Sequence, residues 1–123
     1  MTEYYKSEIT GKIIHAATEV HKELGPHFME VVYQRALAIE LKSCFEEFQR
    51  EVDLPIYYKG DKIDTRRADF VIEDIMVEIK EKSCFEERDF EQILCYLKAS
   101  NLKLGLLINF GEGKINVRRF VNG

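Results

Sequence analysis

The run Leu104–Phe110, LGLLINF, restricts the fold more than any other segment. It is short and almost continuously apolar, which marks a strand covered on both faces and open to parallel pairing. A strand of that kind needs helices on either side of its sheet, and the chain supplies them. Ile9, Ile13, Ala17, Val20 and Leu24 recur at helical spacing over Ser7–Leu24, and Gly25-Pro26 ends that helix. A second helix is expected over Phe28–Ser43. Phe28, Val32, Ala36 and Ile39 form its apolar stripe, with Glu30, Tyr33, Leu37 and Leu41 on an adjoining face. The period then changes to two. Val52, Leu54, Ile56 and Tyr58 alternate as in a strand, Lys59-Gly60-Asp61 makes a turn, and Ile63–Glu73 is a second strand. Glu73-Asp74 turns the chain into a third strand, Ile75–Lys80, and this antiparallel meander is read as the centre of the domain. A third helix follows over Glu87–Ala99 on Phe90, Ile93, Leu94 and Leu97. After the apolar run, Gly111–Gly113 turns into a more polar edge strand, Lys114–Val121. The expected fold is a mixed α/β sheet flanked by helices, one domain over residues 1–123.

A chain of 123 residues can bury a full core without disulfides or a structural metal. Cys44, Cys84 and Cys95 are odd in number and widely spaced, which argues against a disulfide framework and against zinc. No apolar run approaches the roughly 18 residues of a membrane span. The opening MTEYYKSEIT lacks the features of a signal peptide, so a cytoplasmic protein is expected. The net charge of −4 counts mildly against nucleic-acid binding. The basic residues are clustered, however, as Lys59, Lys62, Arg66 and Arg67, and again as Lys114, Arg118 and Arg119.

The segment Asp69–Lys80 carries the chemistry. Pairing across the Glu73-Asp74 turn sets Asp69 opposite Glu78. Opposed carboxylates are unfavourable in a sheet, and a divalent cation would compensate. Mg²⁺, or Mn²⁺ in its place, suits one or two carboxylates plus waters and phosphate oxygens. Lys80, two residues beyond Glu78, projects from the same face and can neutralise a phosphate or hold an attacking water. Spacing alone favours a plainer reading, in which these are solvated charges and Lys80 is a salt-bridge partner. Gln92 and Tyr96 share a polar helical face, opposite Ile93, Leu94 and Leu97, that either borders the metal or faces solvent. Glu30, by itself, reads as a surface charge.

Several stretches together resemble a known family. They are Val20–Pro26, Phe28–Tyr33, Pro55–Gly60, Arg67–Phe70, Val77–Lys80, Gln92 with Tyr96-Leu97, and Leu104–Gly111. In that order they resemble the GxxExxY proteins of the PD-(D/E)XK nuclease superfamily, over nearly the whole chain. The resemblance implies a restriction-endonuclease-like fold and Mg²⁺-dependent hydrolysis of phosphodiester bonds, in DNA first and RNA second. It implies Asp69 and Glu78 as metal ligands, Glu30 as a further acidic or water-mediated contact, and Lys80 as the group that positions water. Gln92 and Tyr96 look like the Q-x-x-x-Y motif near metal and DNA. Lys59, Lys62, Arg66 and Arg67 are the expected phosphate contacts. One departure stands out: His27 occupies the position of the family's glycine, a residue type that suggests positive φ or close packing. The superfamily also has non-cleaving members, so a module that only holds nucleic acid or protein is the alternative. A homodimer or a larger assembly stays open.

Overall fold

The computed structural model describes residues 6–122. Residues 1–5, which begin the stretch read as lacking a leader, lie outside the described residues. Helix α1 runs Ser7–Leu24, α2 Glu30–Cys44 and α3 Glu87–Ser100. The strands are β1 Gln49–Tyr58, β2 Asp61–Ile72, β3 Ile75–Lys80, β4 Leu104–Asn109 and β5 Asn116–Val121. They form one sheet in the order β1-β2-β3-β4-β5. Every neighbouring pair is antiparallel except β3 and β4, which are parallel. All six residues of β4 are buried, as its apolar run demands. The meander is therefore not the centre of the sheet. It makes up one side, and its last strand, β3, is the middle of the five.

The sheet separates two cores. On one face α1 and α2 pack Ile13, Ala17, Val20, Tyr33, Leu37 and Leu41 against Phe70, Val77, Ile79, Leu106 and Ile108. On the other, Ile93 and Leu97 of α3 pack against Leu54, Ala68, Val71, Met76 and Leu107. Gly105 lets α3 come this close, because a Cβ there would lie 2.9 Å from Ile93 Cδ1. The stripe expected on α2 is corrected. Ile39 and Phe28 are exposed, and the buried face is Tyr33, Leu37 and Leu41 with Gln34 and Ala38. Both stripes have helical spacing, and the choice fell to the ring of Tyr33, which stacks on Phe110 at 4.6 Å. On α3, Leu94 is likewise exposed. The three cysteines are free, and no helix among the described residues is long and apolar enough to cross a membrane.

Candidate active site

β2 and β3 pair through Phe70↔Val77, Val71↔Met76 and Ile72↔Ile75. Continued by one step, this register sets Asp69 opposite Glu78, where the two strands part. Asp69 fills the opening. Its Oδ2 accepts the Ile79 backbone N–H at 2.7 Å and its Oδ1 accepts the Gln34 side-chain amide at 2.8 Å. Arg50 on β1 donates in turn to Gln34 Oε1 at 3.3 Å. Glu78 is in the opposite condition. It is 8% exposed, and its Oε1 has no hydrogen-bond partner among the described residues. Burial, followed by the negative charge of Asp69, pushes its carboxyl up to about 8, against the pull of Lys80 and of the Asp69 backbone amide.

Lys80 ends β3 and donates from Nζ to Gln92 Oε1 on α3 at 3.1 Å. Three consecutive residues, Asn109, Phe110 and Gly111, hold the backbone at and just beyond it. Phe110 N–H donates to the Lys80 carbonyl. The fully buried Asn109 side chain accepts from Lys82 N at 3.1 Å and donates to Lys82 O at 2.9 Å. Gly111 passes so close to the Lys82 backbone that no Cβ would fit between them. Lys82 closes the cluster through Asp89 at 2.8 Å and Glu86 at 3.0 Å. Burial acts to raise the Asp89 carboxyl, but the Lys82 ammonium and the Glu86 amide outweigh it and hold it below its usual range.

Glu30 opens α2 and lies at the rim, its carboxyl raised by partial desolvation and by Asp69, with Lys80 opposing. Tyr33, fully buried, fixes that placement. Its hydroxyl accepts from Phe28 N at 3.1 Å and donates to the Gly25 carbonyl, closing the loop before the helix. His27 lies in this loop, exposed and without positive φ, so the backbone there makes no demand for glycine. Glu30, Lys80 and Gln92 line one cleft of about 360 Å³ together with Glu81, Lys82, Arg88 and Asp89. A wider groove of about 850 Å³ runs past Lys42, Phe48 and Arg50 and reaches none of the cleft residues. Tyr96 is half-buried rather than opposite the packed face. Burial raises its phenol, and Arg66, Glu78 and Asp64 are its charged neighbours.

The four basic residues expected on phosphate are not one patch. Lys59 and Lys62 are exposed near the tip of the β1–β2 ribbon, Lys59 over the Tyr58 ring at 5.4 Å. Arg66 pairs with Asp64 at 3.0 Å and Arg67 with Asp53 at 3.2 Å. As consecutive strand residues they point to opposite faces. In the second basic cluster, Arg118 packs over the Phe90 ring at 4.8 Å.

Among the described residues no three His, Cys, Asp or Glu side chains are gathered as a ready cage for a metal ion. Asp69 and Glu78 nonetheless fit a Mg²⁺-type ion, which takes one or two carboxylates and fills its other positions with water and phosphate oxygens. The partnerless Glu78 Oε1 is an acceptor that such an ion would satisfy.

The model of the PD-(D/E)XK nuclease superfamily matches residues 7–120. The chain belongs to this superfamily. Its restriction-endonuclease-like α/β fold, with Asp69, Glu78 and Lys80 on the β2–β3 hairpin, is the fold described above. The chain is also similar to the uncharacterized protein MJ1626 of Methanocaldococcus jannaschii, at 26% identity over 113 residues. That alignment covers 85% of this chain, and the chain spans only about 15% of the length of that relative. Among solved structures, SSO0001 aligns at 16% identity and a TM-score of 0.48, over 98% of this chain and 70% of that one.

Gln34, Arg50 and Asn109 escaped the reading of the sequence. Gln34 had a usable signal: it stands one helical turn after Glu30, on the face that Tyr33 buries.

Proposed function

We propose that this superfamily member is a divalent-metal-dependent nuclease of the GxxExxY type, hydrolysing phosphodiester bonds of DNA, with RNA second. The observation that carries the reading is Glu78: a buried carboxylate with a partnerless oxygen, set opposite Asp69 and two residues from a lysine in an open cleft. Asp69 and Glu78 would hold Mg²⁺ or Mn²⁺, with Glu30 in contact through water. Bound there, the ion would supply Lewis acidity toward a phosphoryl oxygen and lower the pKa of a ligated water. Lys80 has three N–H donors and gives one to Gln92, so two remain for the attacking water and a phosphate oxygen. Gln92 thus aims the lysine, and the Tyr96 phenol, with Arg66 and Glu78 among its charged neighbours, would border the metal. Lys59 and Lys62 are placed to meet phosphates directly, whereas Arg66 and Arg67 must first leave Asp64 and Asp53. A cytoplasmic location, and action as a homodimer or within a larger assembly, complete the proposal.

Calorimetric titration of Mn²⁺ into the wild type and into Asp69→Ala/Glu78→Ala tests the site, with cleavage of plasmid DNA measured in parallel. Binding lost in the double variant is expected, and equal binding by both proteins removes the metal site from the proposal. A second reading, a module that holds nucleic acid or protein without cutting, is favoured by the net charge of −4. DNA binding in Ca²⁺ with no cleavage in Mg²⁺ or Mn²⁺ selects it.

A further inference from the structure

We propose that Gln34, oriented by Arg50, is a positioning residue that fixes the Asp69 carboxylate for cation binding; the inference rests on the metal-site reading above. Gln34 is 9% exposed, and its side chain reaches from α2 across to the point where β2 and β3 part. A carboxamide there could face either way. Arg50 decides the direction, because a guanidinium only donates and so draws the amide oxygen. The amide nitrogen is then left to face Asp69 Oδ1. Reversed, the amide would set its N–H groups against Arg50 and its oxygen against a carboxylate, losing both bonds.

The consequence lies in the lone pairs of Asp69. Each oxygen accepts one bond from the protein, Oδ1 from Gln34 and Oδ2 from Ile79 N–H. Each keeps a second lone pair, and the plane of the group is fixed by donors at both ends. An Asp carboxylate otherwise turns in a broad, two-fold well. Without the Gln34 donor, Oδ1 is released and the Ile79 bond becomes a single swivel. Hydrogen-bond partners of ligating groups typically change metal affinity 10–100-fold.

Gln34→Met tests this, since methionine keeps the length and helix propensity of glutamine and removes both hydrogen bonds. Arg50→Met removes the orienting donor at an exposed site, where the fold is not at stake. Arg50→Lys restores a donor. Two measurements are made on the full chain: Mn²⁺ affinity by calorimetry, and amide hydrogen exchange at Ile79 without metal. We expect Gln34→Met to weaken Mn²⁺ binding about 10–100-fold. Its Ile79 exchange should rise by an order of magnitude or more, with the Met76 and Val77 amides unchanged. Arg50→Met should show the same pattern more weakly, and Arg50→Lys should match the wild type. Wild-type exchange at Ile79 in both methionine variants overturns the proposal. A wild-type protein that takes up no Mn²⁺ would instead sink the metal reading alone, and Ile79 exchange would still decide the role of Gln34.

Discussion

Without metal, the protein should lose stability as pH rises from 5 to 8, and Glu78 should be the main cause. Its carboxyl stands at about 8 in the folded protein against 4.5 ordinarily. The folded state therefore keeps a proton that the unfolded chain gives up. With the folded value raised, the stabilising contribution is complete below pH 4.5 and is lost as pH climbs through about 8. The difference in pKa corresponds to about 5 kcal/mol in full, of which roughly 3–4 kcal/mol falls between pH 5 and 8. For a domain of this length, about 1 kcal/mol moves Tm by about 3–6 °C, so the fall is about 10–20 °C. Glu78→Gln keeps the shape and cannot ionise. Thermal melts followed by circular dichroism, in EDTA at half-unit pH steps, should show a steep profile for the wild type and a much flatter one for the variant. The two should converge near pH 5. Mn²⁺ at pH 8 should then raise the wild-type Tm and leave that of Glu78→Gln nearly unchanged, because only the ionised carboxylate gains a partner. Parallel pH profiles would show that the Glu78 carboxyl is well solvated, and the argument from its burial would fall.

Lys80→Ala should abolish cleavage while leaving Tm and Mn²⁺ affinity near wild type, because among the described residues the lysine bonds Gln92 alone; a variant that cuts at the wild-type rate reduces Lys80 to a surface contact. Tyr33→Phe should cost about 1–2 kcal/mol in urea denaturation, since it strips the hydroxyl from the Gly25–Phe28 loop, and an unchanged midpoint contradicts that role. Reversing Lys59 and Lys62 to glutamate should flatten the log–log salt dependence of duplex binding in Ca²⁺ by about 1.8, whereas reversing Arg66 and Arg67, already paired, should change it less. Equal slopes for the two pairs, measured by fluorescence anisotropy, would dismiss the ribbon tip as the contact.

The fold was legible where period and punctuation agreed. LGLLINF gave a buried strand paired in parallel, and the turn at Glu73-Asp74 set a register that the ladder keeps. Where two apolar stripes competed on α2, spacing could not choose, because the choice belongs to Phe110, more than seventy positions away, against which Tyr33 stacks. The basic residues of β2 form one cluster in sequence and are divided in the sheet. Arg66 and Arg67 are adjacent in sequence and therefore on opposite faces of a strand; Arg66 pairs with Asp64 two positions back on its own face, whereas Arg67 pairs with Asp53 on β1, which sequence order does not reveal as its neighbour.

The site divides along the same line. Asp69 and Glu78 could be paired from the hairpin alone, and on that evidence they are equivalent carboxylates. Their surroundings make them unlike. Asp69 receives Gln34 from α2 and the amide of Ile79, so both its oxygens are engaged. Glu78, one strand over, faces the core under α3 and has an oxygen with nothing to accept from. A pair in which one carboxylate is anchored and the other is left wanting a partner is suited to gain a cation. Anchoring limits the ordering that binding requires, and the partnerless oxygen gives the ion something to satisfy. Either residue changed to resemble the other would weaken that arrangement: Asp69 freed by loss of Gln34, or Glu78 supplied with a donor of its own. Neither condition is written in the D-x8-E-x-K spacing, because each depends on which donors the other elements bring to the carboxylate, or withhold from it, once the chain has folded.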